Sequence, residues 1–98
     1  MGIRICLGQL KSHPGGYLDA VSAGRTLEVI RRGRLAALIL PESAFTGDPP
    51  ASTIAVSRLR KNAAPYFDRV AKGDVIGVMR DGRPVARIVA ANASSPGG

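Results

Sequence analysis

The chain has 98 residues, 45% of them hydrophobic and 21% charged, which is the composition of a globular protein with room for one small domain or two very small units that fold together. No apolar run approaches the roughly 18–20 residues of a membrane-spanning helix, and the start, Met1-Gly2-Ile3-Arg4, lacks the apolar core of a secretory signal. Fourteen Lys and Arg against seven Asp and Glu give a net charge of +7 and an isoelectric point near 10.8, beyond the value of about 9 that marks nucleic-acid-binding domains, so a polyanion is the first partner to consider.

Shifted by 49 positions, residues 5–41 lie over 54–90 without a gap, with 12 identities in 37 positions. They are Ile5/Ile54, Leu10/Leu59, Tyr17/Tyr66, Asp19/Asp68, Val21/Val70, Gly24/Gly73, Val29/Val78, Arg31/Arg80, Gly33/Gly82, Arg34/Arg83, Ala37/Ala86 and Ile39/Ile88. The chain is therefore read as an internal duplication.

In chain order, a first strand ends near Cys6, which reads as a small buried hydrophobe. A helical stretch follows and breaks at His13-Pro14-Gly15-Gly16. A helix through Tyr17–Val21 is closed by Gly24, its two glycines making it the weaker of the two helices. Thr26–Ile30 and Leu35–Leu40 form a hairpin turning at Arg32-Gly33. Pro41-Glu42-Ser43-Ala44-Phe45 can start a helical turn, and Gly47, Pro49 and Pro50 belong to a linker. The second copy opens with the strand 53–56 and Ser57 as helix N-cap. A short turn through Arg58–Lys61 breaks at Asn62, and a helix runs over Ala63–Lys72, with Pro65 in its first turn. Leu59, Ala63, Tyr66, Phe67 and Val70 form its buried stripe, Asp68 pairs with Lys72 four residues on, and Gly73 ends it. Val75–Met79 and Pro84–Ala90 make a hairpin around Asp81-Gly82.

Each unit thus reads β-α-β-β with an interrupted helix: 1–47 the first unit, 48–52 a linker, 53–91 the second unit and 92–98 a small polar tail expected to be disordered. A unit of about 45 residues buries too little surface to stand alone. The expected fold is α+β: the two units packed as an intramolecular pseudo-dimer, helices against an antiparallel sheet.

The stretch VSRLRKNAAPYFDRVAKGDVIGVMRDGRPVARIVA (56–90) resembles the N-terminal domain of the Phd/YefM family of bacterial antitoxins, from the Ser before the helix through Leu-Arg-x-Asn, the aromatic and x-x-Val-x-x-Gly to Arg-x-Gly-Arg-Pro-Val-Ala. Residues 5–41 resemble it less closely, and Pro41–Phe45 is similar to the start of that family's next helix, cut short. The resemblance implies a cytoplasmic transcriptional repressor that binds the operator of its own toxin–antitoxin operon, with DNA contacts near the start of the first helix; these fall on Arg58, Arg60 and Lys61 and, in the first unit, Lys11. Two departures stand out. The family carries one copy of the domain where this chain has two, and the toxin-wrapping C-terminal extension is missing. DNA binding across an imperfect palindrome is therefore the expected function. The alternative is an antitoxin that neutralises a ribonuclease toxin through its sheet edges or the Phe45 segment. Association of the pseudo-dimer into a homodimer is left open.

From the residues themselves, Arg58, Arg60 and Lys61 beside a helix start would oppose the helix dipole, a reason to expect a phosphate ligand there. Arg31, Arg32 and Arg34 on the first hairpin tip, and Arg80 and Arg83 on the second, add further candidate phosphate contacts. Four aromatic residues are too few for a single-strand stacking platform. One cysteine and one histidine exclude an internal disulfide and a zinc site, and no nucleophile–base or phosphate-loop pattern is present. The expectation is a protein that is neither an enzyme nor dependent on a cofactor or metal.

Overall fold

In both halves of the chain an extended strand runs straight into a short helix, which breaks before a second helix and a hairpin. The computed structural model describes residues 2–45, 47 and 49–91. The first half contains β1 (Gly2–Cys6), α1 (Leu7–Ser12), α2 (Pro14–Ser22), β2 (Thr26–Arg31) and β3 (Arg34–Pro41). A 3₁₀ turn, Glu42–Ala44, follows. The second half repeats the order with β4 (Ser52–Ala55), α3 (Val56–Lys61), α4 (Ala64–Ala71), β5 (Ile76–Arg80) and β6 (Arg83–Ala90). The expected interruptions at His13 and Asn62 are present. The expected tail, 92–98, and Asp48 of the expected linker lie outside the described residues.

Several local expectations are corrected. The helix after β4 starts at Val56 on Ala55 as N-cap, so Ser57 lies inside the first turn and caps nothing. Extended backbone at Ala55 (ψ 154°) passes directly into helix, and no cap side chain is needed because the strand holds the entry angle. Cys6 is exposed: it ends an edge strand as the N-cap of α1, and its backbone N–H donates to Gln9 Oε1 at 2.9 Å. The second long helix is Ala64–Ala71, one residue shorter at each end than expected.

The six strands form one sheet in the order β1-β2-β3-β6-β5-β4. It is mixed rather than antiparallel, because β1 pairs with β2 and β4 with β5 in parallel. The helices between those strands carry the chain back over the sheet, so the second strand of each pair must run the same way as the first. The two hairpins and the central β3–β6 contact are antiparallel. At the centre Ile39 lies opposite Ile88; Leu38 opposite Val89 is mirrored by Leu40 opposite Arg87, and Ala37 opposite Ala90 by Pro41 opposite Ala86. Ile39 and Ile88 are 49 residues apart, the offset of the duplication.

All four helices lie on one face. Helix α2 packs on β2, β3 and β6, α4 packs on β3 and β6, and α1 packs on α3. A single core runs beneath them, with Leu10, Leu18, Val21, Leu27, Val29 and Ile39 from one half and Leu59, Phe67, Val70, Ile76, Val78 and Ile88 from the other. Gly15 and Gly16 each disfavour helix by about 1 kcal/mol relative to alanine, and α2 persists because its Pro14, Leu18 and Val21 are buried.

On the opposite face the segment after β3 lies over the second half. Arg87, 8% exposed, donates from Nε and Nη2 to the two carboxylate oxygens of Glu42 at 3.1 and 2.9 Å, and the Phe45 ring sits 4.8 Å from its guanidinium carbon. Pro50 then crosses Gly77 so closely that a Cβ there would stand 3.0 Å from the proline ring. The first-half equivalent of Arg87 is Leu38.

The central isoleucines are fully buried. Ile39→Ala and Ile88→Ala should each lower stability by about 2–5 kcal/mol. Urea unfolding followed by circular dichroism measures this, and a loss under about 1 kcal/mol would mean that the two hairpins do not share one core.

Candidate nucleic-acid interface

Two ion pairs join the halves reciprocally. Arg31 at the end of β2 donates to Asp68 on α4 at 2.7 Å, and Arg80 at the end of β5 donates to Asp19 on α2 at 2.6 Å. The four residues are two pairs of repeat equivalents, so the same bond is made twice in opposite directions. The expected pairing of Asp68 with Lys72 is replaced by this one. A strand-end arginine held by the sheet reaches the adjacent helix face with less loss of side-chain freedom than a lysine on the same helix, and its planar guanidinium suits a carboxylate better. The Arg31 hydrogen bond, with the nearby charges of Arg31, Arg32 and Lys72, holds the Asp68 carboxyl below the usual carboxylate range.

Arg4 pairs with Glu28, Arg69 with Asp74 and Arg87 with Glu42, bringing the cations in ion pairs to five. Among the described residues the other nine of the fourteen have no acidic partner. They include Lys11, Arg58, Arg60 and Lys61 on α1 and α3, and Arg32, Arg34 and Arg83 at the hairpin tips, all exposed. Arg31 and Arg80, expected as phosphate contacts, are thus occupied in holding the halves together. Arg80 nevertheless lines a cleft of about 340 Å³ with Pro14, Gly15, Ser57, Arg60 and Lys61, which brings the second-half helix cations beside the start of α2.

The dipole argument for Arg58, Arg60 and Lys61 does not survive. Helix α3 is only six residues long and these cations stand in its last turn, where a helix favours positive charge. Their exposure and lack of partners remain; their placement costs the fold nothing.

Arg34 and Arg83 carry more weight. Each is the direct cross-strand neighbour of another arginine, Arg34 of Arg31 and Arg83 of Arg80, and like charges in that position destabilise a hairpin. The other eleven residues identical between the halves have structural uses. Ile5, Leu10, Val21, Val29, Ala37, Ile39 and their equivalents are buried, Tyr17 and Tyr66 pack against the core, and Gly24, Gly33, Gly73 and Gly82 have positive φ. Asp19, Asp68, Arg31 and Arg80 form the reciprocal ion pairs. Arg34 and Arg83 alone have none among the described residues.

His13 is exposed at the break between α1 and α2. No group of three His, Cys, Asp or Glu side chains that could hold a metal occurs among the described residues, and no helix among them is long and apolar enough to cross a membrane. Phe45, one expected surface for a protein partner, is half-buried against Arg87. Sequence reasoning overlooked Arg87, although a charged residue among the apolar alternation of 85–90 marks it, and Lys72, which had been assigned to Asp68. Comparison with known proteins finds no family model, no curated protein and no solved structure that matches this chain.

Because the folded-state pKa of Asp68 is lowered, its stabilising effect is present above the unfolded carboxyl value and is lost as pH falls through the folded one. The melting temperature should fall as pH drops from about 5 to about 2, and fall less steeply in Asp68→Asn. Parallel melting curves at each pH provide the check, and identical acid limbs for the two proteins would show that the pair does not hold in solution.

Proposed function

We propose that the chain is a duplex-DNA-binding protein of the Phd/YefM antitoxin type, a repressor of its own operon in which two β-α-β-β units form an intramolecular pseudo-dimer across an imperfect palindrome. The arginine retained at both hairpin tips, Arg34 and Arg83, carries the reading. Both are exposed, lack an acidic partner among the described residues and stand beside an arginine whose own guanidinium is taken by an aspartate, which leaves the guanidinium groups of Arg34 and Arg83 to phosphate oxygens.

The pairing of β3 with β6 around Ile39 and Ile88, and the reciprocal ion pairs, support the pseudo-dimer. Repeat-equivalent residues meet across one centre, as they would in a dimer of single units. Joining the units in one chain makes their association intramolecular and independent of protein concentration. The contact of α1 with α3 supports a shared DNA-facing surface: α1 brings Lys11, while α3 brings Arg58, Arg60 and Lys61. The half-sites are unequal there, with one cation against three.

A mobility-shift titration against the DNA upstream of the coding sequence tests the function. Binding should weaken steeply with salt, and removing one phosphate-contacting cation should lower the slope of log K against log salt by about one. Arg60→Ala should cost more affinity than Lys11→Ala. Undetectable or salt-independent binding would rule the reading out, and equal affinity for random duplex would replace the repressor by a non-specific DNA-coating protein.

A further inference from the structure

The two hairpin turns have the same backbone and opposite chemistry. Arg32 and Asp81, at equivalent positions, have φ of 55° and 53°, and the glycines after them have φ of 77°. This left-handed conformation suits Gly, Asn and Asp, whose short side chains tolerate it or hydrogen-bond locally. Asp81 fits that requirement. Arginine gains nothing from the geometry, so Arg32 is held there at a cost to the fold.

The surroundings of the two tips differ in the same sense. Arg31, Arg32 and Arg34, with Leu35 and Ala71, line a cleft of about 560 Å³ beside the first tip, within the range of small-ligand sites. Lys72, at the C-terminal end of α4, lies near enough to Asp68 to act on it electrostatically together with Arg32. Three cations, Arg31, Arg32 and Lys72, therefore act on one carboxylate, and Arg34 adds a fourth positive charge to the cleft. At the second tip Arg80 is paired with Asp19, Asp81 stands in place of Arg32, and Ala23 stands in place of Lys72.

We infer that the first hairpin tip is a phosphate-binding cleft without a counterpart on the second, in which Arg32 and Arg34 hold a phosphoryl group, Lys72 at the end of α4 adds positive potential beside it, and Arg31, fixed on Asp68, forms its wall. The phosphoryl group belongs to a DNA backbone or to a free nucleotide. The DNA form rests on the function proposed above and gives the complex a direction, since one flank of the site is gripped and the other is not. Guanidinium groups supply paired donors to the phosphate oxygens and Lys72 a point charge, while the apolar lining keeps water from competing at one side.

Arg32→Asn removes the cation and supplies a residue the turn prefers. The full chain and this variant are titrated with a duplex of about 20 base pairs by fluorescence anisotropy and, separately, with ATP by amide chemical shifts at Gly33 and Leu35. For DNA as the source, Arg32→Asn should melt a few degrees higher (about 2–6 °C) yet bind duplex about fivefold more weakly near 0.15 M salt, with the salt slope reduced by about one. Lys72→Ala, outside the turn, should reproduce the binding loss without the gain in melting temperature. If no duplex binds but ATP shifts Gly33 in the wild type and not in Arg32→Asn, the cleft stands as a nucleotide site and the DNA function fails. Equal duplex affinity and salt slope in wild type and both variants, with ATP leaving Gly33 unmoved, would overturn the cleft and leave the DNA function standing. If neither duplex nor ATP is bound, both fail.

Discussion

Strands β3 and β6 meet through Ile39 and Ile88, and the remaining architecture depends on that pairing. A hairpin with two short helices, about 45 residues in all, buries too little apolar surface to offset its conformational entropy. Side by side, the two hairpins make a continuous four-stranded centre on which α2 and α4 lie together, α2 reaching β6 of the other half and α4 reaching β3. Each helix thus covers a strand of the other half as well as packing over the centre. The parallel outer strands β1 and β4 only extend what this centre establishes.

Apolar pairing along β3 and β6 defines the register but leaves the helices free to slide over the sheet. The ion pairs Arg31–Asp68 and Arg80–Asp19 restrict that freedom, because each ties a strand end in one half to a helix in the other. Their aspartates are well exposed, so neither pair contributes much to stability by itself. Their value is geometric, fixing α2 and α4, and with them the α1–α3 surface, relative to the hairpin tips. The Glu42–Arg87 pair is of another kind. It is largely shielded and bidentate, so removing one partner would leave a charge stranded near the sheet. It binds the connection between the halves to the sheet face the helices leave open.

Much of this was legible in the sequence because the duplication states it twice. The hairpins, the broken helices and the buried stripe Leu59, Ala63, Phe67, Val70 follow from period, proline and glycine placement, and the structure contains them. The parallel pairing of the outer strands was not legible in residue types; it follows from where the helices carry the chain. Asp68 illustrates a second limit. A lysine four residues along the helix is visible in sequence, whereas an arginine 37 positions away is not, although the recurrence of Asp19/Asp68 together with Arg31/Arg80 was a signal that the two types belong to one interaction. Cys6 was misjudged because alternation alone does not reveal that its strand lies at a sheet edge. Of the candidate site, the tip arginines and the α3 cations were visible as charge. Which of them are already occupied was not, since that depends on the packing of one half against the other.

Divergence between the halves separates the demands of folding from those of a ligand. Where both copies keep a residue, the fold explains it by burial, positive φ or an inter-half ion pair, except at Arg34 and Arg83. Where they differ, two cases are informative. Leu38 and Arg87 differ where Glu42 and Phe45 lie over the arginine, and that contact within the molecule accounts for the charge at 87. Arg32 and Asp81 differ although their backbones are the same, and the turn geometry favours the aspartate over the arginine. A difference that the fold disfavours, on a tip where Lys72 also replaces the alanine of the other half, points outward. On the proposed reading, the retained arginines serve a polyanion in both halves and the unshared ones make the two sides differ. In a dimer of identical chains both flanks would have to be the same. Covalent joining of the two units removes that constraint, and the charge of the first tip is where the sequence has departed from it.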